Sequence, residues 1–341
     1  MINCVYQLVS PGNIFLKYNE LDLNTKLIIR PLYMSICHAD QRYYMGLRDI
    51  KKMREKLPMA LIHESVGEVI YDPTNTYKPG HKIVMIPNIP DKNFKNMDII
   101  YENYQENSQF LSSGHDGFMR EFVDLSIDRV VPIDPNTDIK ISSICEFISV
   151  AVHAVTRFKS ISHKIRDNIT ILGDGSLAYV LSCVIQHEFP NAKLTIIGKN
   201  EFKLSKFWFA NQTYLTDDIP KNFRTDHAFE CVGGDNSHDA IENIINHITP
   251  QGTIILLGVS ENKIAINTRD ILEKGLTFVG SSRSGRPDFE KAVNILKNPK
   301  IQKRLEQIIF EDEPVKTIND IHRVFKTDLN TPFKTIFKWE L

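Results

Sequence analysis

Three short stretches of the sequence carry side chains that could together hold a metal ion. Cys37 follows a β-type run, the pair His63-Glu64 begins 63 − 37 = 26 residues later, and Glu146 precedes an apolar helical stretch. Thiolate, imidazole and carboxylate are the mixed ligands of a catalytic zinc, which keeps one position open for water or substrate. A single cysteine is more often a small buried hydrophobe, and a His-Glu pair more often lies at the surface. The spacing alone leaves both interpretations open.

A glycine-rich stretch further along has the pattern of a dinucleotide-binding loop. Residues 173–178 (GDGSLA) follow a short apolar run and open a stretch of helical period. They fit G-x-G-x-x-[GA], in which the glycines allow a tight turn and a close approach of pyrophosphate. The N–H groups and dipole of the helix N-terminus would face that pyrophosphate. A plain turn is the alternative, but the strand before and the helix after favour cofactor binding. The candidate residues are Gly173, Gly175, Ser176, Leu177 and Ala178.

The end of the next strand distinguishes NAD from NADP. An acidic residue there bonds the ribose 2′-hydroxyl of NAD, whereas its absence beside a basic residue suits the 2′-phosphate of NADP. The sequence is Ile197-Gly198-Lys199-Asn200, with Glu201 and Lys203 further on. These residues favour NADPH, and Gly198, Lys199 and Lys203 are the candidates for contacting it. The alternative is that the two lysines belong to a solvated helix start.

Two patterns of secondary structure would position these groups. Residues 1 to about 145 contain short β-type runs between turn signals, which is typical of an all-β or irregular barrel-like domain. From about residue 168, short apolar runs such as 253–257 alternate with helical stretches such as 176–189 and 236–248. That alternation predicts a parallel sheet with helices on both faces. Residues 87–111 are polar and weakly patterned, which indicates a long loop or lobe.

The composition limits the functions to consider. A length of 341 residues suggests about two domains at roughly 150 residues each. Lys and Arg number 41 against 42 for Asp and Glu, so the net charge of −1 argues against a nucleic-acid partner. No apolar run approaches the roughly 18 residues of a membrane span, and the N-terminus lacks a secretory pattern. Five cysteines are an odd, sparse set, which favours a reducing, cytoplasmic location.

The chain resembles the zinc-dependent medium-chain dehydrogenases/reductases over nearly its whole length. The matching stretches are 35–40 (SICHAD), 62–69 (IHESVGEV), 146–154 (EFISVAVHA), the glycine loop and 229–234 (FECVGG). The resemblance implies an α/β fold of two domains. A GroES-like β-rich catalytic domain would contain residues 1–150 and also the C-terminal residues 285–341. A Rossmann domain with a doubly wound parallel sheet would span residues 151–284.

The resemblance also implies roles at the metal. Cys37, His63 and Glu146 would be direct zinc ligands. Glu64 would bind the zinc directly or exchange with water, and Asp40 would orient an imidazole. The neighbouring Cys145 competes with Glu146 for its position, and the register of the E-x-x-x-V-x-x-H-A pattern favours Glu146.

Two departures from the family pattern change the expected chemistry. Many relatives hold a structural zinc with four cysteines in a lobe after about residue 88, but residues 87–111 contain no cysteine. We therefore expect one catalytic zinc and no structural zinc. Many alcohol dehydrogenases carry Ser or Thr two residues after the ligand cysteine, which starts a proton relay. Ala39 stands there instead, so the proton must come from zinc-bound water or Glu64.

Further stretches resemble the ribulose-5-phosphate reductases that make ribitol 5-phosphate for bacterial teichoic acids and capsules. They are 30–37 (RPLYMSIC), 39–44 (ADQRYY), 112–119 (SSGHDGFM), 280–286 (GSSRSGR) and 333–339 (FKTIFKW). The resemblance implies NADPH-dependent reduction of a phosphorylated ketose, D-ribulose 5-phosphate, at its C2 ketone. A ribitol-5-phosphate cytidylyltransferase, which makes CDP-ribitol, would be the pathway partner. Relatives are commonly dimers or tetramers, so a homo-oligomer such as a dimer is expected.

The substrate's phosphate calls for cationic side chains, and arginine offers bidentate contacts. Two arginines follow the ligand cysteine and two follow the sixth strand of the second domain. The substrate-binding candidates are Arg42, Arg48, Tyr44, Arg283 and Arg286. Each arginine alone could equally be a solvated surface residue, and the tyrosine a core aromatic.

Two alternative functions are weighed against this one. A polyol dehydrogenase of the sorbitol type would oxidise an unphosphorylated alcohol, and an acidic NAD-selecting residue would have favoured it. A non-catalytic scaffold for the cytidylyltransferase would be favoured by loss of a metal ligand or of the glycine loop, and both are intact.

Overall fold

The computed structural model describes residues 1–93 and 100–341 and divides into two compact units. One unit contains Met1–Ser149 and Ser284–Leu341, and the other contains Val150–Arg283. The strands of the described residues are β1 (Ile2–Ser10), β2 (Asn13–Glu20), β3 (Leu27–Ser35), β4 (Met59–Ala60), β5 (Glu64–Tyr71), β6 (Lys82–Met85), β7 (Asn88–Ile89), β8 (Gln109–Phe110), β9 (Val123–Leu125), β10 (Val130–Pro132), β11 (Asn168–Leu172), β12 (Lys193–Gly198), β13 (Gln212–Leu215), β14 (Thr225–Glu230), β15 (Ile248–Leu256), β16 (Thr277–Gly280), β17 (Ile309–Val315) and β18 (Lys334–Trp339).

The α-helices connect these strands, and α5 and α7 pack on the sheet of the second unit. The helices of the described residues are α1 (His38–Tyr44), α2 (Ile50–Lys56), α3 (Ile139–Ser142), α4 (Cys145–Ile161), α5 (Ser176–Glu188), α6 (Glu201–Leu204), α7 (Ser237–His247), α8 (Thr268–Lys274), α9 (Arg286–Leu296), α10 (Pro299–Glu306) and α11 (Ile318–Asp328). Single turns of 3-10 helix lie at Glu102–Tyr104, Ile127–Arg129, Ser205–Phe207 and Thr216–Asp218. None of the described helices is long and apolar enough to cross a membrane.

The first unit is built around a sheet of strand order β10-β6-β5-β3-β18-β17, in which β9 also pairs with β3. Its antiparallel register sets Ser35, at the end of β3, opposite Glu64, at the start of β5. The same Ser35 also pairs with Ile336 of β18. The loop after β3, the start of β5 and the start of β18 therefore meet at one edge of the sheet.

Buried apolar side chains from widely separated parts of the sequence fill the core of this unit. Val5, Leu8, Ile29, Phe118 and Phe337 belong to one cluster of residues that are almost fully buried. A three-stranded sheet of order β2-β1-β4 and the pair β7-β8 complete the unit. The predicted lobe at 87–111 lies partly outside the described residues, and the pair β7-β8 occupies its described ends.

The second unit is a six-stranded sheet of order β13-β12-β11-β14-β15-β16, in which every pair is parallel. Such strands are buried on both faces and so read as continuous apolar runs. The order reverses between β11 and β14, which creates the crevice where such sheets bind ligands. The predicted fold class, a GroES-like β-rich domain with a Rossmann-type parallel sheet, is confirmed.

Element boundaries differ slightly from the sequence prediction. The helix predicted at 236–248 is α7, which ends at His247, because Ile248 already pairs with Thr225 as the first residue of β15. The strand predicted at 253–257 therefore begins five residues earlier (253 − 248). The pairing shifts register here, because Thr225 and His227 of β14 pair with Ile248 and Thr253 of β15, so the extra residues lie on β15. Hydrophobic periodicity carries no signal for such an irregularity.

Candidate metal centre and dinucleotide loop

Three of the predicted metal-binding residues lie together in the first unit. The Cys37 sulfur, an imidazole nitrogen of His63 and a carboxylate oxygen of Glu64 all lie within 4.8 Å of one another. Cys37 precedes α1 just after β3 ends, and Glu64 is the first residue of β5. The sheet register therefore brings together ligands that are separated in the sequence.

Asp40 holds the loop that carries these ligands. Its Oδ1 accepts a hydrogen bond from the Ile62 amide at 3.0 Å, and its Oδ2 accepts one from the Cys37 amide at 3.2 Å. The same Oδ2 lies 3.3 Å from Nδ1 of His63. Burial alone would raise the pKa of Asp40, but His63 and the two amides outweigh it and lower the pKa. An ionised carboxylate on Nδ1 fixes the imidazole and leaves Nε2 for a metal.

Two further features orient His63. The Ser112 hydroxyl lies 2.8 Å from Nδ1, on the same side as Asp40. Ile62, immediately before the histidine, has a φ of 68°, which a β-branched residue rarely adopts. Burial lowers the pKa of His63, but Asp40 and Cys37 reverse the effect and raise the pKa well above its ordinary value. Without a metal ion the imidazole therefore binds a proton readily, and a metal ion would have to displace that proton.

The glycine loop of the second unit joins β11 to α5. Gly173 has a φ of 127°, and a Cβ there would lie 3.1 Å from the Cys231 carbonyl oxygen, so a larger residue would be strained. Around Gly175 a Cβ would meet nothing within 4 Å. The first helical hydrogen bond runs from the Tyr179 amide to the Gly175 carbonyl at 3.0 Å. The preceding amides, those of Ser176, Leu177 and Ala178, are the N-terminal groups that can bind an anion.

Comparison with known proteins decides the family. Residues 24–135 match the alcohol dehydrogenase GroES-like domain and residues 207–298 match a zinc-binding dehydrogenase domain. The chain is 52% identical to the ribulose-5-phosphate reductase of Streptococcus pneumoniae, with 100% of this chain and 98% of the relative covered. It is 43% identical to the ribulose-5-phosphate reductase of Bacillus spizizenii, with 100% of both covered. The crystal structure of S. aureus TarJ in complex with NADPH matches with a TM-score of 0.87 and 42% identity over 100% of both chains.

The chain belongs to the zinc-dependent medium-chain dehydrogenases/reductases. This confirms the family resemblance found in the sequence, and it makes the protein an oxidoreductase. In this medium-chain dehydrogenase, a cationic side chain lies at the metal cluster, and the sequence analysis did not predict it.

That cation is Lys334, the first residue of β18. Its Nζ donates to Glu64 Oε1 at 2.7 Å and to the Ile36 carbonyl oxygen at 2.8 Å, and 3% of its side chain is exposed. The other oxygen of Glu64, Oε2, is buried without a hydrogen-bond partner. A buried carboxylate oxygen needs a partner, and a zinc ion bound beside Cys37 and His63 would supply one. The residues present therefore fit a zinc site.

Glu146 lies in the first turn of α4 and is outside the three-residue cluster. It is buried and interacts electrostatically with His63 and Glu64, and burial is the main cause that raises its pKa to about 7. Burial and the Glu146 charge also raise the pKa of Cys145, so the Cys145 sulfur is a neutral thiol at neutral pH and a poor ligand.

Two of the predicted substrate-binding residues are already engaged. The Tyr44 hydroxyl lies 2.7 Å from His322 Nδ1, and its ring stacks on Phe325 with centroids 4.3 Å apart. Arg286 donates to Glu290 at 2.9 Å and to the Val130 carbonyl oxygen at 3.0 Å. These contacts give Tyr44 and Arg286 partners within the protein, and their role in substrate binding stays a prediction.

The other cationic candidates lie in different units. Arg42 is in the last turn of α1, and Arg48 lies with its guanidinium carbon 4.9 Å from the centre of the Tyr43 ring. Burial, followed by the charge of Arg42, lowers the pKa of His38, so positive charge gathers beside the ligand loop. Arg283 belongs to the nucleotide-binding unit and has a φ of 57°.

Proposed function

We propose that this medium-chain dehydrogenase reduces D-ribulose 5-phosphate to D-ribitol 5-phosphate with NADPH. The observation that carries the proposal is the 52% identity, over the whole chain, to a relative named ribulose-5-phosphate reductase. A fold shared at 18% identity with galactitol-1-phosphate dehydrogenase would not distinguish substrates, because one fold hosts many reactions.

Cys37, His63 and Glu64 would hold one zinc ion, with Glu146 as the further ligand that the family resemblance implies. When bound, zinc supplies a Lewis acid that stabilises the negative charge growing on the ketone oxygen. Asp40 keeps the imidazole oriented, and Lys334 fixes Glu64 Oε1 so that only Oε2 is left to serve the metal. Ala39 has no hydroxyl to relay a proton to the product, so the donor would be a water molecule or Glu64.

The dinucleotide would bind the second unit. The amides of residues 176–178 would take the pyrophosphate, and Gly173 and Gly175 would allow its approach. Lys199 and Lys203 would contact the 2′-phosphate beside Gly198. NADPH supplies the hydride, and the protein orients the cofactor and provides the electrostatic environment. The candidate clamps for the substrate phosphate are the arginines Arg42, Arg48, Arg283 and Arg286.

The product would feed a cytidylyltransferase that forms CDP-ribitol for teichoic acid or capsule. A thiolate ligand and the five free cysteines suit a reducing compartment, so we place the reaction in the cytoplasm. A homodimer remains a prediction.

The test is NADPH oxidation by the purified, zinc-loaded enzyme with ribulose 5-phosphate, compared with free ribulose and with NADH. We expect fast oxidation that requires both the sugar phosphate and NADPH, with about one zinc per chain by mass spectrometry. Activity on free polyols with NAD would instead favour a sorbitol-type dehydrogenase. Absence of turnover from a zinc-loaded enzyme with every one of these substrates would defeat the proposal.

A further inference from the structure

The second residue of the glycine loop, Asp174, reaches across to the neighbouring strand. Its Oδ2 accepts hydrogen bonds from the amides of Lys199 at 2.7 Å and Asn200 at 2.8 Å. These amides directly follow β12, at the strand end that contacts the adenosine ribose in sheets of this type. One carboxylate therefore ties the pyrophosphate loop to the ribose-binding turn.

Asp174 also occupies the space beside the last residue of β12. A Cβ added to Gly198 would lie 2.6 Å from both Cβ and Oδ2 of Asp174, a distance that ordinary packing never allows. An acidic residue at the end of this strand is what normally selects NAD. A side chain at Gly198 would therefore have to displace Asp174.

The turn after β12 is held at several points. The Asn200 side chain accepts from the Lys203 amide at 3.0 Å, and the Thr216 hydroxyl donates to the Gly198 carbonyl oxygen at 3.1 Å. Because Asp174 takes the Lys199 and Asn200 amides, these two backbone donors are not available to an anion. Recognition of a 2′-phosphate at this turn therefore falls to side chains.

We propose that Asp174 is a positioning residue that sets the preference for NADPH over NADH. It fixes the turn so that the ammonium groups of Lys199 and Lys203 are presented to the 2′-phosphate. The two amides offset its own negative charge, and a turn ordered in advance loses less entropy on binding. This inference rests on the proposed NADPH-dependent function and names the residue that makes the cofactor choice.

The test measures Kd for NADPH and for NADH by fluorescence titration of the full-length, zinc-loaded protein. Asp174→Ala should weaken NADPH binding by about tenfold, whereas NADH, which lacks the 2′-phosphate, should change by less than about twofold. Asp174→Asn keeps an acceptor oxygen and should retain most of the preference. Gly198→Ala should displace the carboxylate and reproduce the loss in a chain that keeps every charge.

Asp239→Ala is the matched control, because it removes an exposed carboxylate of the same unit in the first turn of α7. Equal weakening of both nucleotides by Asp174→Ala would show that the residue merely supports the glycine loop, and would overturn the inference. Tighter NADPH binding after Asp174→Ala would overturn it too, because the carboxylate would then oppose the 2′-phosphate. A wild-type protein that binds neither nucleotide would refute the proposed function itself.

Discussion

Lys334 is a buried cation that interacts electrostatically with Glu64, Cys37 and Asp328. Burial alone would lower the pKa of Lys334, but Glu64 and then Cys37 outweigh it and raise the pKa. The ammonium group therefore stays charged and restrains Glu64 through one carboxylate oxygen. Such residues behind a metal ligand typically change metal affinity or activity about 10- to 100-fold when they are removed.

Lys334→Met should lower turnover with ribulose 5-phosphate by about 10- to 100-fold, because Glu64 loses the donor that orients it. Lys334→Arg should retain more activity, since the charge remains. Lys338→Met is the control, because Lys338 lies on the same strand and pairs with Glu340 at the surface. The measurements are zinc content by mass spectrometry and the rate of NADPH oxidation. Full activity of Lys334→Met would show that Glu64 needs no such restraint.

Cys37→Ser should remove both zinc and turnover, because a serine hydroxyl is a far weaker zinc ligand than a thiolate. NADPH affinity should stay near the wild-type value, since the glycine loop lies in the other unit. Cys145→Ala tests the competing thiol, and its raised pKa predicts that zinc content is unchanged. Retained turnover in a zinc-free Cys37→Ser protein would contradict the metal mechanism, and zinc loss in Cys145→Ala would contradict the assignment of the thiolate.

Residue types and the family resemblance together predict much of this site. Cys37, His63 and Glu64 have the side chains that zinc prefers, and the resemblance distinguishes them from the other cysteines and histidines. Lys334 escapes such a prediction because it lies 270 residues from Glu64 in the sequence, and no local pattern marks a lysine that a sheet will bury. Ser112 escapes it too. Ser112 and Lys334 both lie in stretches that carry the resemblance, but the sequence does not show that either side chain reaches the metal ligands.

At the scale of elements, the parallel sheet of the second unit is predictable because its strands are short buried runs between helical stretches. The pairing of β3 with β18 is not predictable, since nothing in either strand specifies a partner so far away in the sequence. Yet that pairing delivers Lys334 to the metal cluster. Sequence periodicity therefore predicts that strands exist, whereas the three-dimensional pairing determines which chemistry they share.

The strand β14 carries a histidine that links the sheet's stability to pH. His227 is fully buried, its Nε2 lies 2.9 Å from the Ile165 carbonyl oxygen, and its Nδ1 accepts from the Thr253 amide at 3.1 Å. Both ring nitrogens are satisfied only in the neutral form. Burial, followed by the nearby His163, lowers the pKa of His227 to about 4.

The unfolded chain would bind this proton at about pH 6.5, so its contribution is fully present above that pH and is lost as the pH falls towards 4. We expect His227→Gln to unfold at a lower urea concentration than wild type at pH 7. Between pH 6.5 and pH 4 its free energy of unfolding should fall by about 3 kcal/mol less than that of wild type. His238→Gln, at an exposed site, is the control. Parallel pH profiles for wild type and His227→Gln would refute the assignment.

At the scale of the whole molecule, the first unit is assembled from both ends of the chain, and the lobe after β6 must be held in place. Many relatives use a cysteine-bound zinc there, but the sequence between 87 and 111 has no cysteine. Arg129 instead donates to Glu102 at 2.9 Å and to the Asn88 carbonyl oxygen at 3.0 Å. Glu102 also accepts from the Arg286 amide at 2.6 Å, at the start of α9.

This network predicts that the lobe is anchored by charge and not by metal. Glu102→Ala removes the less exposed of two carboxylates that pair with the buried Arg129 guanidinium and leaves it Asp128, whose side chain is 49% exposed. The substitution should cost about 2 kcal/mol of unfolding free energy. Glu106→Ala, an exposed neighbour, should cost little. A chelator that removes the catalytic zinc should lower the unfolding temperature of wild type and Glu102→Ala by the same amount, because the two contributions are independent. A chelator effect that disappears in Glu102→Ala would mean that a metal ion and Glu102 act together in holding the lobe.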